Sequence, residues 1–323
     1  MTHYVGIDVS KATLEVAEEC SGKSKQYSNN PDGRSELART LRAHDGQLHV
    51  VVEPTSTYHQ HVVDALMDEG ISFSLINPSR SKAFSRLVGR RAKTDKVDAR
   101  LLMELGKSQH LMSSHVPDRD QERLKSLRRY LGQLEEDRTA LNNRLEAFGD
   151  SPWTSPAVIE SLRRRLNDLE REIDHLRDDL DKMVSDTPNW RRSVELLETI
   201  PGIGRSSAVL IVSELPAVQH CASAKVWVAY CGVNPEPRES GNTHYSKLSR
   251  MGMARVRSSL YMPAVSALRW NAPIKALGER LQAKGKTGKL RVMAAMNKLL
   301  RQCFGVLRTG TPFDPVLNQR TSP

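Results

Sequence analysis

The sequence predicts an α/β domain with a mixed sheet, then a helical coiled-coil hairpin, then a mainly α-helical region. Three observations support this. Strand and helix signals alternate over roughly the first hundred residues, apolar residues recur at three-four spacing through the middle, and basic residues crowd the carboxyl-terminal part. The chain of 323 residues is long enough for two or three domains. We predict boundaries at residues 1–115, 116–188 and 189–323.

The first region shows the order strand, strand, strand, helix, strand, helix, strand, helix. HYVGIDV, ATLEVAEE and SKQYSN predict the first three strands, and QLHVVVEP and ISFSLINP predict two more. QLHVVVEP is almost continuously apolar, which is typical of a strand buried on both faces of a sheet. Helices are predicted over GRSELARTLRAH, over YHQHVVDALMDEG and from the last strand to about Gln109. This alternation predicts a mixed sheet.

Two heptad stretches flank the turn GDSPWTSP and predict the helical hairpin. The apolar positions are Leu124, Leu127, Leu131, Leu134, Leu141, Leu145 and Phe148 before the turn, and Ile159, Leu162, Leu166, Leu169, Ile173, Leu176, Leu180 and Met183 after it. The two helices can pack only on each other, or their seams can bind another subunit. The spacing fits both arrangements equally.

The net charge of +10 is concentrated at one end of the chain. Between Ser240 and Phe313 there are fourteen Lys or Arg and a single acid, Glu279. A field of one sign is self-repulsive, and a polyanion would relieve that repulsion. A solubilising basic surface is the simpler alternative. Because the bias is confined to one region, we favour nucleic-acid binding with strong salt dependence.

The composition of the chain is not that of a membrane protein or a secreted protein. No apolar run is long enough to cross a bilayer, and the opening MTHYVGIDVSK is not typical of a secretion signal. Four cysteines form neither a CxxC pair nor a zinc spacing. We therefore expect reduced thiols, a cytoplasmic protein and no membrane partner.

The stretch LLETIPGIGRSSAVLIVSEL predicts helix, glycine turn and helix. The PGIG turn is similar to that of helix-hairpin-helix elements, whose backbone N–H groups bind phosphate. A turn that only packs is about equally compatible with these residues. On the phosphate-binding alternative, the turn residues Gly202 and Gly204 contact nucleic acid. The basic residues predicted to contact it are Lys247, Arg250, Arg255, Arg257, Lys284, Lys286, Lys289 and Arg291.

Four acids are distributed as they are in an RNase H-like nuclease domain. Asp8 lies in the first strand, Glu53 ends the long apolar strand, and Asp95 and Asp98 share one face of the helix after the last strand. Each alone is usually a cap or a solvated group. Four converging carboxylates would repel by ~4 kcal/mol per close pair, and Mg²⁺, or Mn²⁺ in its place, would remove that repulsion.

A metal held by these acids would bring phosphate groups to the same helix. Lys93 and Arg100 flank the aspartates in the segment AKTDKVDARLL. Their positive charges suit phosphate oxygens. We therefore expect Lys93 or Arg100 to contact the nucleic-acid backbone.

The same residues carry a family resemblance. The segments GIDVSK, VVVEPTSTY, LINPSRSKAF and KTDKVDARLL are similar to the signature segments of the DEDD insertion-sequence transposases, the IS110 family, which includes the Piv invertases. IPGIG, AYCGVNPEPRESG and SLYMPA resemble that family's carboxyl-terminal transposase domain. The resemblance covers nearly the whole chain in the expected order.

The resemblance implies a RuvC-like catalytic domain whose acids are Asp8, Glu53, Asp95 and Asp98, and a nucleophilic serine, Ser240 in RESG. It also implies that a noncoding guide RNA pairs with donor and target DNA. The serine would form a covalent 5′-phosphoserine, and the protein would act as a dimer or tetramer. NTHYSKLS follows where the family often has small hydroxyl residues, so Ser246 and Ser249 are lesser candidates for the nucleophile.

Other functions are compatible with parts of the sequence. A RuvC-like Holliday-junction nuclease would hydrolyse DNA with the four acids and without a covalent serine. An actin-like sugar kinase also begins with a strand ending in GID, but it needs a glycine-rich phosphate turn, where this chain has Val9, Ser10 and Lys11. A binding protein without catalysis would not need all four acids.

Overall fold

The computed structural model describes residues 2–19, 24–44, 46–54, 56–89, 94–111, 113, 118–240, 243–248 and 252–316, with the backbone alone for 235–240 and 243–248. The chain divides into two compact units, Met1–Val116 and Pro117–Pro323. The three-domain division with a separate hairpin remains a prediction.

A five-stranded mixed sheet organises the first unit, as the sequence predicted. The strand order is β3-β2-β1-β4-β5, and central β1 pairs antiparallel with β2 and parallel with β4. The strands are β1 (His3–Val9), β2 (Thr13–Glu18), β3 (Ser24–Ser28), β4 (Leu48–Val52) and β5 (Ser72–Leu75). The helices are α1 (Pro31–Arg42), α2 (Tyr58–Asp68), α3 (Pro78–Leu87) and α4 (Asp95–Gln109).

Successive side chains of β1 point to opposite faces of the sheet and pack in two different cores. Val5, Ile7 and Val9 pack with apolar residues of α1 and α2 on one face of the sheet. Tyr4, on the other face, packs with Leu102 and other residues of α4. Strand β4 is buried on both faces because both helix layers cover it. The predicted continuous apolar strand is therefore confirmed.

Helix α4 lies unusually close to β1 because Gly6 has no side chain. A Cβ atom at Gly6 would lie 2.0 Å from the carbonyl oxygen of Ala99 and 2.5 Å from the backbone nitrogen of Met103. At Gly106, a Cβ would lie 2.7 Å from both Tyr4 and Val51 side-chain atoms. The two glycines let the helix backbone rest on the sheet, which positions the start of α4 over the end of β1.

The second unit begins with the predicted hairpin. Helices α5 (Arg119–Gly149) and α6 (Pro156–Asp186) have 31 residues each and pack on one another. Their buried residues, such as Leu124 and Ile173, join the same apolar core as Leu299 near the carboxyl terminus. The hairpin is therefore continuous with the helical region that follows. Coiled-coil geometry remains a prediction.

The rest of the second unit is mainly helical, as predicted. Its helices are α7 (Pro188–Glu198), α8 (Arg205–Glu214), a 3₁₀ turn (Val218–His220), α9 (Ala224–Tyr230), α10 (Ala254–Ser259), α11 (Tyr261–Trp270), α12 (Ala272–Ala283) and α13 (Gly288–Thr309). One antiparallel β-hairpin, β6 (Pro235–Ser240) and β7 (Thr243–Leu248), interrupts them. The sequence analysis did not predict this hairpin. Among the described helices, none is both long and apolar enough to cross a membrane.

The cysteines of the second unit lie in its interior. Cys221, Cys231 and Cys303 are buried and unbridged, and burial raises the pKa of the Cys231 thiol to about 12. These three thiols form no disulfide with one another. Cys20 lies outside the described residues.

Candidate functional site

The carboxyl ends of two adjacent parallel strands carry the first two acids. Asp8 is the penultimate residue of β1, and Glu53 directly follows β4. The register pairs Ile7 with Val52, so Asp8 and Glu53 occupy the next level on neighbouring strands. Since paired residues of parallel neighbours point to the same face, both carboxylates lie on the α4 side of the sheet.

The other two acids, Asp95 and Asp98, lie in the first turn of α4. Thr94 is the N-cap, and its hydroxyl accepts a hydrogen bond from the backbone N–H of Val97. Asp95 and Asp98 follow in the first turn, where the positive end of the helix dipole favours negative charge. Because Thr94 already caps the helix, neither aspartate is needed for capping.

The other three acids lie near enough to Asp8 for their charges to raise its pKa. Burial contributes most to raising this pKa from 3.8 to about 6, and the negative charges of Asp98, Asp95 and Glu53 contribute the rest, in that order of importance. A hydrogen bond with the backbone of Val9 acts in the opposite direction. The structure thus gathers acids that are far apart in the sequence around the end of β1.

Ser81 contacts this group and was not singled out by the sequence. It lies in α3, is 4% exposed, and its hydroxyl donates a hydrogen bond to Glu53, with 2.5 Å between Oγ and Oε2. Its segment, LINPSRSKAF, carried the family resemblance as a whole. Nothing in the spacing distinguished Ser81 from Ser79 or Ser85, because the distinguishing contact spans 28 residues.

The chemistry of the acid cluster fits a hard divalent cation. All four groups offer carboxylate oxygens, which Mg²⁺ and Mn²⁺ prefer, and their mutual repulsion is evident at Asp8. Within the described part of the chain, no three His, Cys, Asp or Glu side chains lie close enough to enclose an ion. The ligand atoms are therefore of the type that such a cation binds. The four side chains, however, are more widely spaced than the ligands of a coordination shell.

The predicted nucleophile lies in the second unit. Ser240 ends β6, and its backbone pairs with Thr243 of β7. Ser246 is also in β7, and Ser249 lies outside the described residues.

The predicted nucleic-acid contacts are spread over several elements. Arg100 is exposed on α4. Arg255, Lys284, Lys286 and Lys289 are exposed, Arg257 and Arg291 are partly buried, and Lys247 is in β7. Nη1 of Arg257 and Nε of Arg291 are buried without a hydrogen-bond partner among the described residues. Lys93 and Arg250 lie outside the described residues.

The PGIG turn joins α7 to α8, as predicted. Gly202 has φ +107°, and a Cβ there would lie 2.8 Å from Cβ of Ala267 in α11, so the glycine is explained by packing. Gly204 is the N-cap of α8 and faces open space. Phosphate binding by Gly202 and Gly204 remains a prediction.

Two family models match the chain. Residues 5–150, which include all four acids, match the DEDD transposase domain of the IS110 family, described as "Transposase". Residues 194–279, which include Ser240, match a domain described as "Transposase IS116/IS110/IS902 family". The two matches occur in the order that the motifs predicted. The chain belongs to the IS110 family of transposases.

Known relatives of this IS110-family chain include two full-length matches. It is 29% identical to the pilin gene-inverting protein of Moraxella bovis, over 98% of this chain and 99% of that protein, and equally to that of Moraxella lacunata. It is 25% identical to the insertion element IS110 uncharacterized 43.6 kDa protein of Streptomyces coelicolor, over 37% of this chain and 30% of that protein.

Among solved structures, the transposase matches Thermus thermophilus RuvC in complex with a Holliday junction substrate. The match has 11% identity and a TM-score of 0.24, and it covers 35% of this chain and 99% of that one. A second RuvC structure from Thermus thermophilus matches with the same score.

Proposed function

We propose that this IS110-family protein is a DNA recombinase that cuts and rejoins DNA strands through a covalent serine intermediate. The observation that carries the proposal is the convergence of Asp95, Asp98 and Glu53 on Asp8, in a chain whose two halves both match transposase domains. Uncompensated carboxylates held together are costly, so a cluster of this kind suggests a bound cation. A RuvC-like fold for the first unit is part of the same proposal.

The residues that would hold the cation are Asp8, Glu53, Asp95 and Asp98. Mg²⁺, or Mn²⁺ in its place, would supply charge stabilisation for a phosphoryl group in transfer. Ser81 orients Glu53 by its hydrogen bond. The carboxylates on β1 and β4 are attached to rigid strands, which favours a fixed arrangement of ligands.

The covalent step belongs to Ser240. Its Oγ attacks the phosphorus of a phosphodiester, a serine–phosphate bond forms, and the bond from phosphorus to the 3′ oxygen breaks. The proton of the serine hydroxyl ends on the departing 3′ oxygen. Attack by the 3′ hydroxyl of another strand reverses the reaction, releases the serine and joins the new strands without external energy.

The basic residues of the second unit would bind the phosphate backbone of nucleic acid. DNA is the substrate, in donor and target forms. A noncoding guide RNA is proposed as the source of sequence specificity, because base pairing would carry that information outside the protein. A homodimer or tetramer would provide more than one serine for exchange of strands. The name of the Moraxella relatives favours inversion of a DNA segment, and the Streptomyces name favours insertion.

The test is covalent trapping on DNA with a nick that prevents rejoining. The parent protein should give a protein–DNA adduct linked to a 5′ phosphate, and Ser240→Ala should give none. Ser246→Ala serves as a matched control on the adjacent strand and should retain the adduct. If Ser240→Ala cuts DNA as well as the parent does and neither protein gives an adduct, the protein is a nuclease that acts by hydrolysis, and the serine mechanism is wrong.

The proposed guide RNA has a separate test. The protein purified from cells that carry its native flanking DNA should contain a discrete RNA species. Sequencing should show two segments complementary to the recombined sites. Full recombination by RNA-free protein would contradict this part of the proposal and leave the serine mechanism intact.

A further inference from the structure

The turn that joins α5 to α6 carries a tryptophan in solvent. Trp153 is 93% exposed. The backbone N–H of Trp153 donates to the hydroxyl of Ser151 at 3.4 Å, and that of Thr154 donates to the carbonyl oxygen of Ser151 at 3.3 Å. Phe148 and Val158, close to the turn on the two helices, are 45% and 38% exposed. The backbone of the turn is therefore held by its own hydrogen bonds, and the indole adds almost no buried area to the fold.

The arginines nearest this turn have no carboxylate partner. Residues 138–165, which we call the hairpin tip, contain five arginines, no lysine and three acids, which is a net charge of +2. At a rise of 1.5 Å per residue, all five arginines lie within about 17 Å of the turn along their helices. Among the described residues, none of these arginines makes an ion pair: Arg138, Arg144, Arg163, Arg164 and Arg165.

The rest of the hairpin has the opposite character. Residues 119–137 and 166–186 contain eight basic and thirteen acidic residues, a net charge of −5. Four arginines there contact carboxylates at 2.5 to 2.9 Å: Arg123, Arg129, Arg171 and Arg177. A basic surface kept only for solubility would not need to gather unpaired arginines around an exposed aromatic ring. The hairpin tip therefore has the features of a binding surface for an anionic partner.

The chemistry of the hairpin tip suits an unpaired nucleic-acid strand. Guanidinium groups form paired hydrogen bonds with phosphate oxygens, and an indole ring stacks on bases that no duplex already holds. Three consecutive helical residues point in directions about 100° apart, so Arg163, Arg164 and Arg165 spread positive charge around more than half of α6. A flexible single strand can follow such a curved surface, whereas duplex DNA is stiff over this length.

A second copy of the chain is the main alternative, because the rest of the hairpin is acidic. Stable protein interfaces bury roughly 800 Å² on each partner around an apolar core. Among the described residues of 119–137 and 166–186, Tyr130 is the one large hydrophobic side chain that is well exposed, at 48%. This acidic surface thus has little apolar area with which to cover Trp153, and the observations favour nucleic acid.

We propose that the hairpin tip binds single-stranded nucleic acid, with Trp153 stacked on a base and the arginines paired with the flanking phosphates. Neither contact needs the 2′ hydroxyl, so RNA and DNA strands of one sequence should bind alike. The inference goes beyond the proposed function, whose nucleic-acid contacts lie near the start of α4 and within residues 202–291. It requires neither the cation nor the covalent serine.

The test is the affinity of the full-length protein for short fluorescent single strands, RNA and DNA of the same sequence, measured by anisotropy. Trp153→Ala removes the aromatic face and should weaken the binding of both strands by roughly tenfold. Trp153→Phe keeps an aromatic face and should retain most of the affinity. Tyr130→Ala, which removes an exposed aromatic from the acidic part of the hairpin, is the matched control and should bind as the parent does.

Salt dependence tests the arginines separately. Replacing all three consecutive arginines (Arg163→Gln, Arg164→Gln and Arg165→Gln) should reduce the slope of log affinity against log salt by roughly 2, since each phosphate contact on a single strand contributes about 0.7. Arg171→Gln, on the same helix, removes an exposed arginine that already has an ion pair. It should leave the slope nearly unchanged.

Three results would overturn the inference. The first is parent-like affinity for both single strands in Trp153→Ala and in the triple arginine variant. The second is an equal loss of duplex binding in Trp153→Ala, because duplex bases are already stacked and offer no free face to the indole. The third is a loss of self-association in sedimentation with unchanged strand affinity, which would assign the hairpin tip to a second copy of the chain. Each result leaves the serine mechanism intact, because covalent trapping tests that mechanism independently.

Discussion

The hydroxyl of Ser81 lies 2.5 Å from Oε2 of Glu53 and 3.0 Å from the carbonyl oxygen of Pro78. A hydroxyl has one proton, and the shorter contact is to the charged acceptor, so the proton is directed to Glu53. Helix α3 thereby fixes the direction of a carboxylate that belongs to the end of β4.

Replacing Ser81 should impair the site without unfolding the protein. In Ser81→Ala, Glu53 loses a buried donor and gains rotational freedom, so we expect Mn²⁺ affinity and strand-cutting rate to fall by roughly tenfold. Ser79→Ala is the control, because Ser79 is an exposed serine on the same helix. Equal Mn²⁺ affinities in the two variants would show that Ser81 does not position Glu53.

The raised pKa of Asp8 predicts how stability depends on pH without metal. The folded state holds this proton more tightly than the unfolded chain does, since the pKa is about 6 in the folded protein and 3.8 for an unperturbed aspartate. The resulting stabilisation is complete below pH 4 and is lost as the pH rises through 6. Allowing for partial exposure, the loss should be on the order of 1–2 kcal/mol.

Asp8→Asn should remove this dependence. In denaturant unfolding with EDTA, the variant should be more stable than the parent at pH 8 and about equal to it at pH 4. Mg²⁺ should stabilise the parent at pH 8 and have little effect on Asp8→Asn. A parent whose stability rises from pH 4 to pH 6, relative to the variant, would contradict the assigned direction of the shift.

Gly6 is predicted to be essential for bringing α4 to the sheet. In Gly6→Ala, the new Cβ would overlap the backbone at Ala99, so α4 must move and the free energy of unfolding should fall by about 1–3 kcal/mol. Mn²⁺ affinity should fall too, because Asp95 and Asp98 move with the helix. Gly132→Ala, inside α5 with ordinary space around it, should instead gain up to about 1 kcal/mol. Similar effects of the two substitutions would be inconsistent with the close approach.

The ion pair of Arg129 and Glu214 should anchor the hairpin to α8. Two hydrogen bonds of 2.7 Å join them, and the Glu214 side chain is 1% exposed whereas Arg129 is 42% exposed. Arg129→Met leaves a buried carboxylate without its partner and should cost about 2–4 kcal/mol. Arg123→Met breaks an exposed pair on the same helix and should cost less than about 0.5 kcal/mol. The measurement is chemical denaturation followed by helical circular dichroism.

Adding Glu214→Met to Arg129→Met checks the mechanism of that loss. The double variant no longer buries an unpaired charge, so it should recover part of the lost stability. A double variant less stable than Arg129→Met would mean that packing, and not the unpaired carboxylate, dominates the effect.

Two partly buried arginines should contact phosphate directly. Arg257 and Arg291 are partly exposed in the basic region, and phosphate oxygens would pair with the exposed part of each guanidinium. Arg257→Gln or Arg291→Gln should weaken duplex binding for all sequences and reduce the slope of log affinity against log salt by roughly 0.9. Lys225→Gln, exposed on α9 outside the basic region, should leave the slope unchanged. A parent slope near zero would exclude the basic region as a binding surface.

Most of the fold could be predicted because local patterns report burial directly. The near-continuous apolar run of β4 and the placement of Asp95 and Asp98 on a helix after β5 were both confirmed. The β6–β7 hairpin was missed because PEPRES and THYSKL show neither an apolar alternation nor β-branched enrichment. Its prolines and charges look like those of an irregular loop.

The sequence by itself determined the order of strands and helices, the family, and the identity of four acids at the ends of elements. Only the tertiary structure decided which side chains meet there. Ser81 reaches Glu53, and the aspartates of α4 come near Asp8, because of strand register and the close approach of α4 at Gly6. Periodicity records which face of an element is buried, whereas contacts between distant residues depend on how the elements pack, and no local pattern contains that information.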